Sequence, residues 1–574
     1  MGNRTTRCRC STRGNVLAIL IVILMLLAIV ATGLASLAHF HYRMAVREAI
    51  YRDEFAIAEA VLAKAYAELR FRVENFHEPP DAATLQAIRP PVFGGYTVDD
   101  YSIEEVSSGT EVMSVGIWSN LSVQVTRYRI HARVRKQGGT AQRFEHPGVV
   151  LRQDLELRFI PLQMFGVFYY PDLELTPGPS MTISGRVHSN ANVYVAAASS
   201  LEFKSYVSAV GRILHGTHPD SGMGVGSGDV QFWNGTTDVS MKNGDGTWLD
   251  HLDPNWATAS QTRWNGYVSD ESHNVGDLPL PIPKGEDPHT IIERTSAADP
   301  PSIQREKLEN KAGLKILRDP STGEVQGFDA AGSPVPLTYE DPGGGGTFSI
   351  VSDGTFYDQR EAKWVQSLDV DMARLRASGI APTNGILYVS TEGANGAVRL
   401  TNAQQLPSPG GVGFAVASDD ALYLRGDFNT VNKTHALIAG DAIMIQSNNW
   451  DDAKSNNADM NVRKATPTTV NAVAFQGIVP TENVGGVEYY SGGLENYFRF
   501  MENWTAVTFS YSGSLVCMWE CRKWIGRWRG WPVYRPPDRV WSWDPNLASN
   551  PPPGMPKVYQ VVRRHWHIRN LGAS

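Results

Sequence analysis

Acidic side chains come in pairs at Asp419-Asp420 and Asp451-Asp452, with Asn448 and Asn449 beside the second pair. Oxygen-rich turns of this kind suit calcium. Their spacing matches neither an EF-hand nor a nonapeptide repeat, and turn formation is the reading favoured for them. Asp419, Asp441 and Asp451 are also the carboxylates that a solenoid enzyme acting on polysaccharide would use, given a fold that makes them converge. His565 and His567 would share one face of a strand, with Trp566 opposite. His39 and His41, two apart on a helix, point to different faces. "GMGVGSGDV" is glycine-rich but is not a dinucleotide fingerprint, and reads as a flexible loop. Arg425-Gly426-Asp427 falls at a strand end, where a three-residue match says little. The chain has no GxSxG elbow, P-loop or HExxH, and no Cys/His cluster with zinc spacing. No catalytic residue, cofactor or metal ion is expected, and the chain reads as a non-enzyme.

Two further residue types bear on chemistry. Residues 504–566 hold eight of the fifteen tryptophans, among them Trp528 and Trp531. Tryptophan is amphipathic and costly to expose in bulk. The cluster is either a face that stacks sugars or docks a partner, or aromatic packing that caps a β core. Cys517 and Cys521 are a disulfide or two buried thiols.

The elements that position these groups begin with "RCRCSTRGNVLAILIVILMLLAIVATGLASLAHFHYR". Val16 to Ala38 is 23 residues without a charge. As a helix it spans roughly 34 Å, enough for a ~30 Å hydrocarbon core. It exceeds the apolar region of a cleaved secretory signal, about 7–15 residues, so it is expected to be retained. Arg4, Arg7, Arg9 and Arg13 precede it, which places the N-terminus in the cytoplasm and residues 40–574 outside the inner membrane, although Arg43 and Arg47 reduce the asymmetry. The helix continues through "YRMAVREAIYRDEFAIAEAVLAKAYAELRFRVENF" to Pro79-Pro80. Met44, Ile50, Ile57, Val61 and Leu69 sit near helical spacing. A membrane anchor with a juxtamembrane stalk would carry the same pattern.

A basic leader ending in Arg13-Gly14, an apolar stretch and an unbroken amphipathic helix together resemble the N-terminus of a type IV pilin or pseudopilin. Within that group, residues 11–75 are most similar to PilX-type pilus assembly proteins. The resemblance implies leader processing at Gly14 and Asn15. It also implies that Val16, Ile19, Ile23 and Leu27 pack against equivalent helices of neighbouring subunits. One departure is visible: pilins usually carry a Glu five residues after the cleaved Gly, where this chain has Ile19. The segments "ASDDALYLRGDFN", "EYYSGGLENYFRFMENW", "FSYSGSLVCMW" and "VYRPPDRVWSWDPNL" resemble parts of large bacterial envelope proteins with a PilX-like N-terminus. That second likeness carries over no catalytic residue.

From about residue 92 the period becomes two, in "YTVDDYSIEEV" and "LSVQVTRYRIHARVRKQ". The fold class expected is α+β, mainly β. A basic leader (1–14) and a membrane-spanning and amphipathic helix (15–78) precede a small antiparallel sheet (92–165). A solenoid-like or sandwich β domain follows from 166–215 and 381–480, punctuated by turn residues such as Asn190, Asn192 and Asn429. Its period is too irregular for a true repeat. Between its halves lies a loop-rich insertion (216–380) with a short helix near "DMARLRAS". A Trp-rich extended segment (481–574) ends the chain. The net charge of -7 over 574 residues lacks the concentrated basic patch that nucleic acid requires. The reading is a membrane-anchored, non-enzymatic envelope protein, PilX-like in pilus or pseudopilus assembly or a surface adhesion subunit. Its partners are inner-membrane lipid and pilin-like subunits. A tethered solenoid enzyme, or a module binding polysaccharide, is the alternative.

Overall fold

The computed structural model describes residues 13–113, 118–138, 147–340, 345–393, 395–529 and 533–570. Helix α1 runs without a break over Arg13–Phe76, 64 residues. Its two halves have different surroundings. The apolar side chains from Val16 to Met44 are exposed. Beyond them, Ile50, Glu54, Ala58, Val61, Ala65, Leu69 and Val73 are buried. Steps of three and four put these seven on one stripe. Glu54 belongs in that stripe because its carboxylate accepts the Lys136 N–H at 2.8 Å.

The stripe packs on an antiparallel sheet of β1 (Tyr96–Val112), β2 (Ser122–Lys136) and β3 (Val149–Phe159). Alternate residues Tyr128, Ile130, Ala132 and Val134 of β2 face the helix, with Leu151, Leu155 and Leu157 of β3. The fourth strand of this sheet is Tyr559–Asn570, antiparallel to β3. There Trp566 packs on Phe55 of α1 at 5.7 Å, Arg563 lies 3.8 Å over the Tyr66 ring, and Arg564 pairs with Glu156 at 2.9 Å. The alternation in the sequence carries this sheet only to residue 165 and gives 481–574 as one separate segment. The chain instead returns to the sheet after residue 558, and the solenoid is inserted between β3 and this last strand.

The insertion stacks mostly parallel strands into a 13-stranded sheet, antiparallel only at the end formed by Leu314–Arg318, Val325–Asp329 and Pro334–Val335, with further sheets forming the other walls. In its first half Val167 pairs with Val187 and Val187 with Val207, and Leu173, Val193 and Ile213 pair likewise. Those residue numbers give a coil of 20 residues, a regular repeat where the sequence reading saw none. Only inward positions recur; the turns between them differ, and they mask the period. In the second half loops of unequal length separate the strands.

The chain enters this sheet in its middle, at Phe165–Tyr169, and climbs through Arg186–Ser189 and Val207–Ala209 to Val268–Ser269 at one end. It crosses to the other end, resumes at Leu314–Arg318, and steps back to Thr508–Cys517. That strand pairs in parallel with Phe165–Tyr169, Leu515 opposite Val167. The crossover lies on the outer face of the sheet. Phe414 and Val416 fill the interior, while their neighbours Ala415 and Ala417 pack under Leu278, Ile282, Ile291 and Ile292. Burial of both faces explains the unbroken apolar runs of these strands. The segment 216–380 also supplies wall strands, Asp229–Trp233, Val351–Asp358 and Lys363–Asp371. It carries more than the one short helix expected: Trp256–Trp264, Pro301–Glu306 and Leu308–Lys311 precede Met372–Ser378, which is capped by Asp371 and by Gly379 at φ 77°.

Glu502, fully buried, accepts the Ser447 N–H and O–H at 2.7 Å each. Burial outweighs these bonds and Arg463, pushing its carboxyl from 4.5 up to about 7. A carboxyl raised in the folded state stabilises the protein at low pH, and the contribution is lost as pH rises from about 4.5 through 7. Glu502→Gln is expected to flatten that part of the stability profile and to raise the thermal midpoint at pH 8, an effect of about 3 kcal/mol. Thermal unfolding between pH 4 and 8 checks it.

Candidate functional site

Gly14 and Asn15 lie in the first turn of α1. Val16, Ile19, Ile23 and Leu27, three or four residues apart, form one exposed apolar face. Trp528 lies elsewhere, in the wall of a groove on the solenoid flank. Trp531 falls outside the described residues.

The groove has a volume of about 720 Å³. Its floor is made of the turns that follow Leu173–Leu175 and Val193–Val195, including Gly178 and Ala196–Ala198. Stacked coils bring them together: the Ala196 N–H donates to Leu175 O at 2.9 Å and the Ala198 N–H to Pro177 O at 3.0 Å. One wall is the glycine-rich stretch 222–228, which the sequence suggested was a flexible loop. It lies flat against the floor instead. The Gly228 N–H donates to Ala197 O at 2.8 Å, and a Cβ on Gly226 or Gly228 would collide with the carbonyls of Ala197 and Ser199.

The opposite wall comes from Tyr490, Glu495 and Asn496, from Trp528, and from Tyr534–Pro536, Asp538 and Arg539. Glu495 is buried. It accepts the Tyr490 hydroxyl at 2.8 Å, and its oxygens meet the Thr176 hydroxyl and N–H at 3.2 and 3.3 Å. The Trp528 ring stands edge-on to Tyr490 at 5.2 Å and donates its indole N–H to the Tyr534 hydroxyl at 3.1 Å. Burial raises Glu495, which the nearby Arg539 partly offsets, and burial lowers Arg539. Both Glu495 oxygens are thus engaged by protein donors. A smaller cavity beside it, about 160 Å³, contains Glu174 and His218. There Glu174 accepts the His218 N–H at 3.1 Å, and burial raises its carboxyl.

Of the three aspartates weighed as a catalytic set, two meet in one place. Asp441, fully buried, accepts the N–H groups of Arg522 (2.6 Å), Lys523 (3.0 Å) and Trp524 (2.7 Å). His289 Nε2 lies 3.0 Å from it. Lys523 Nζ pairs with Asp419 and Asp420 at 2.7 Å each. Asp420 is raised to about 6, by burial first and by Asp419 second. The whole set clasps the 522–524 segment and the crossover onto the solenoid. Asp451 sits apart, capping the short turn Asp452–Lys454. Asp452 joins Asp369 in holding the buried Arg399, at 2.6 and 2.5 Å.

The other sequence candidates are spent on turns. Asp427 accepts the Thr469 N–H at 2.8 Å, and Arg425 donates to Trp450 O at 3.1 Å. Asn429, at φ 56°, bonds Thr434 and Asn471, whereas Asn190 ties Leu278 of the crossover to the sheet and Asn192 bonds Asp172 of the adjacent coil, neither with left-handed backbone. His565 and His567 share a strand face at 6.4 Å. Cys517 and Cys521 are buried thiols rather than a disulfide. Trp504, Trp519, Trp524 and Trp541 are buried in the β core.

One arrangement is not legible in the sequence, because Asp270 and His273 belong to one short turn (Glu271–His273, capped by Asp270) and Ser260 to the separate helix Trp256–Trp264. Ser260 Oγ is 2.9 Å from His273 Nε2, and His273 Nδ1 is 3.0 Å from Asp270. This is the connectivity of a nucleophilic triad. Ser260 is fully buried, however, and Asp270 also accepts from Trp256 and bonds His251. The cluster seals the end of the solenoid.

No family model matches the chain, and no curated protein does. Among solved structures it is similar to the competence-associated pilin ComZ from Thermus thermophilus. The identity is 12% and the TM-score 0.31, over 91% of this chain and 98% of that one. A likeness at that level leaves the family unassigned.

Proposed function

We propose that this chain is a membrane-anchored, non-enzymatic envelope protein related to type IV pili or pseudopili, acting as a PilX-like assembly component or a surface subunit. One observation supports the reading above others. A single helix is bare and apolar over its first half, and over its second half is buried on a sheet built from strands within 96–159 and from Tyr559–Asn570. The bare half would lie in lipid and pack against like helices. The sheet would hold it at a set angle to the solenoid, which stands outside the inner membrane and recognises rather than reacts.

The test is the mass of the mature N-terminus from the native host, with a cysteine at Ile23 to cross-link like helices. Loss of the leader after Gly14, with cross-links to pilin-like subunits, is expected. An intact Met1 with no cross-link would overturn the reading.

A further inference from the structure

The groove beside Trp528 points to a ligand class through what its walls leave unused. Asn496 is more than nine-tenths buried and lines the groove. Its side-chain nitrogen donates to Gly492 O at 3.2 Å, but its Oδ1 has no hydrogen-bond partner among the described residues. Arg539 Nε, on the same lining, is likewise buried without a partner among them. One is an acceptor and the other a donor. Each costs about 1–3 kcal/mol if left unmet. A purely anionic ligand would satisfy the arginine alone, and an apolar one neither.

Charge narrows the class. Arg539 has Glu495 near it, and the rim carries one residue of each sign, Arg535 and Asp538. No net field favours an ion. Backbone pairing narrows it again. An extended peptide docks by adding a strand to free main-chain groups. Here the floor amides of Ala196 and Ala198, and that of Gly228 in the wall, are already bonded from coil to coil. What remains is a flat floor of Gly178 and Ala196–Ala198, one half-buried indole, and a separated donor and acceptor. A pyranose fits that description. Its C–H face stacks on an aromatic ring, and each hydroxyl both donates and accepts. The volume lies within the ~300–1,000 Å³ usual for ligand sites.

We propose that this groove binds an uncharged oligosaccharide, with Trp528 as the stacking platform and Asn496 and Arg539 as hydroxyl partners. The inference does not rest on the pilus-related reading, since the groove is complete without the apolar half of α1.

The test is calorimetric titration of the full-length protein in detergent with cello-, chito-, malto- and xylo-oligosaccharides. Charged uronate oligomers and an unstructured peptide serve as comparisons. At least one neutral series should bind, and Trp528→Ala should weaken it by about tenfold or more. Gly224→Tyr is the second variant. Gly224 lines the groove and a Cβ there meets nothing within 4 Å, so the ring adds bulk at the groove without straining the fold, and binding should weaken. Absence of binding by every neutral series would overturn the proposal. So would binding only of uronates or peptide, or binding unchanged in both variants.

Discussion

Asp441→Ala is expected to destabilise the solenoid by about 4 kcal/mol and to open the 519–529 segment to proteolysis. Three backbone N–H groups converge on this fully buried carboxylate from consecutive residues, and His289 completes its shell. Removal leaves all four donors without an acceptor. Each buried orphan costs about 1–3 kcal/mol, and loss of one partner of a buried charge pair about 3–5 kcal/mol. Asp441→Asn should cost less, since one oxygen survives.

The clasp also has a pH signature. Burial would raise Asp441, but His289 and the backbone donors hold it below 3.8. Its contribution is therefore present above about 3.8 and is lost as pH falls through its lower folded value. Burial would lower His289, but Asp441 and Glu293 outweigh it and raise it above 6.5. That contribution is complete below about 6.5 and fades as pH climbs through the folded value. The clasp should be strongest between those limits, and Asp441→Ala should cost most there. Thermal unfolding and limited proteolysis at pH 5 and 8 decide it. A midpoint unchanged in the variant would mean that the clasp contributes no stability.

Ile23→Lys combined with Leu27→Lys is expected to release the protein from membranes. The two residues are four apart, exposed on one face of α1, and central in the uncharged stretch. A lysine at the centre of a span costs about 3 kcal/mol relative to the apolar residue it replaces, so the pair costs about 6 kcal/mol. Carbonate extraction followed by sedimentation measures the loss. Phe71→Lys is the control, because Phe71 is exposed on the same helix beyond the apolar half. If the double variant sedimented like the parent, the apolar stretch would not be what holds the chain in the membrane.

Local pattern was legible wherever local physics decides the outcome. An uncharged run followed by apolar residues three and four apart dictates one long helix, since no proline interrupts either half. Alternation in 96–112 and 122–136 dictates strands with one buried face. Aspartates and asparagines between short apolar runs dictate turns, which is where Asp427, Asn429 and Asp451 are spent. All of this was available from the sequence alone, including the division of α1 into lipid-length and amphipathic halves.

Tertiary structure decided the rest, because pairing between distant segments leaves no local mark. Nothing near Tyr559 announces that it will lie beside Phe159 after four hundred residues of solenoid. The 20-residue coil was hidden because stacking constrains only the inward side chains and leaves the turns free to vary. The groove depends on both events. Thr176 and Ala197 come from the coils laid down first, and Glu495, Trp528 and Arg539 from the segment that returns to close the seam. Composition marked Trp528 as notable; only the closure of the sheet placed it opposite a floor on which something can bind.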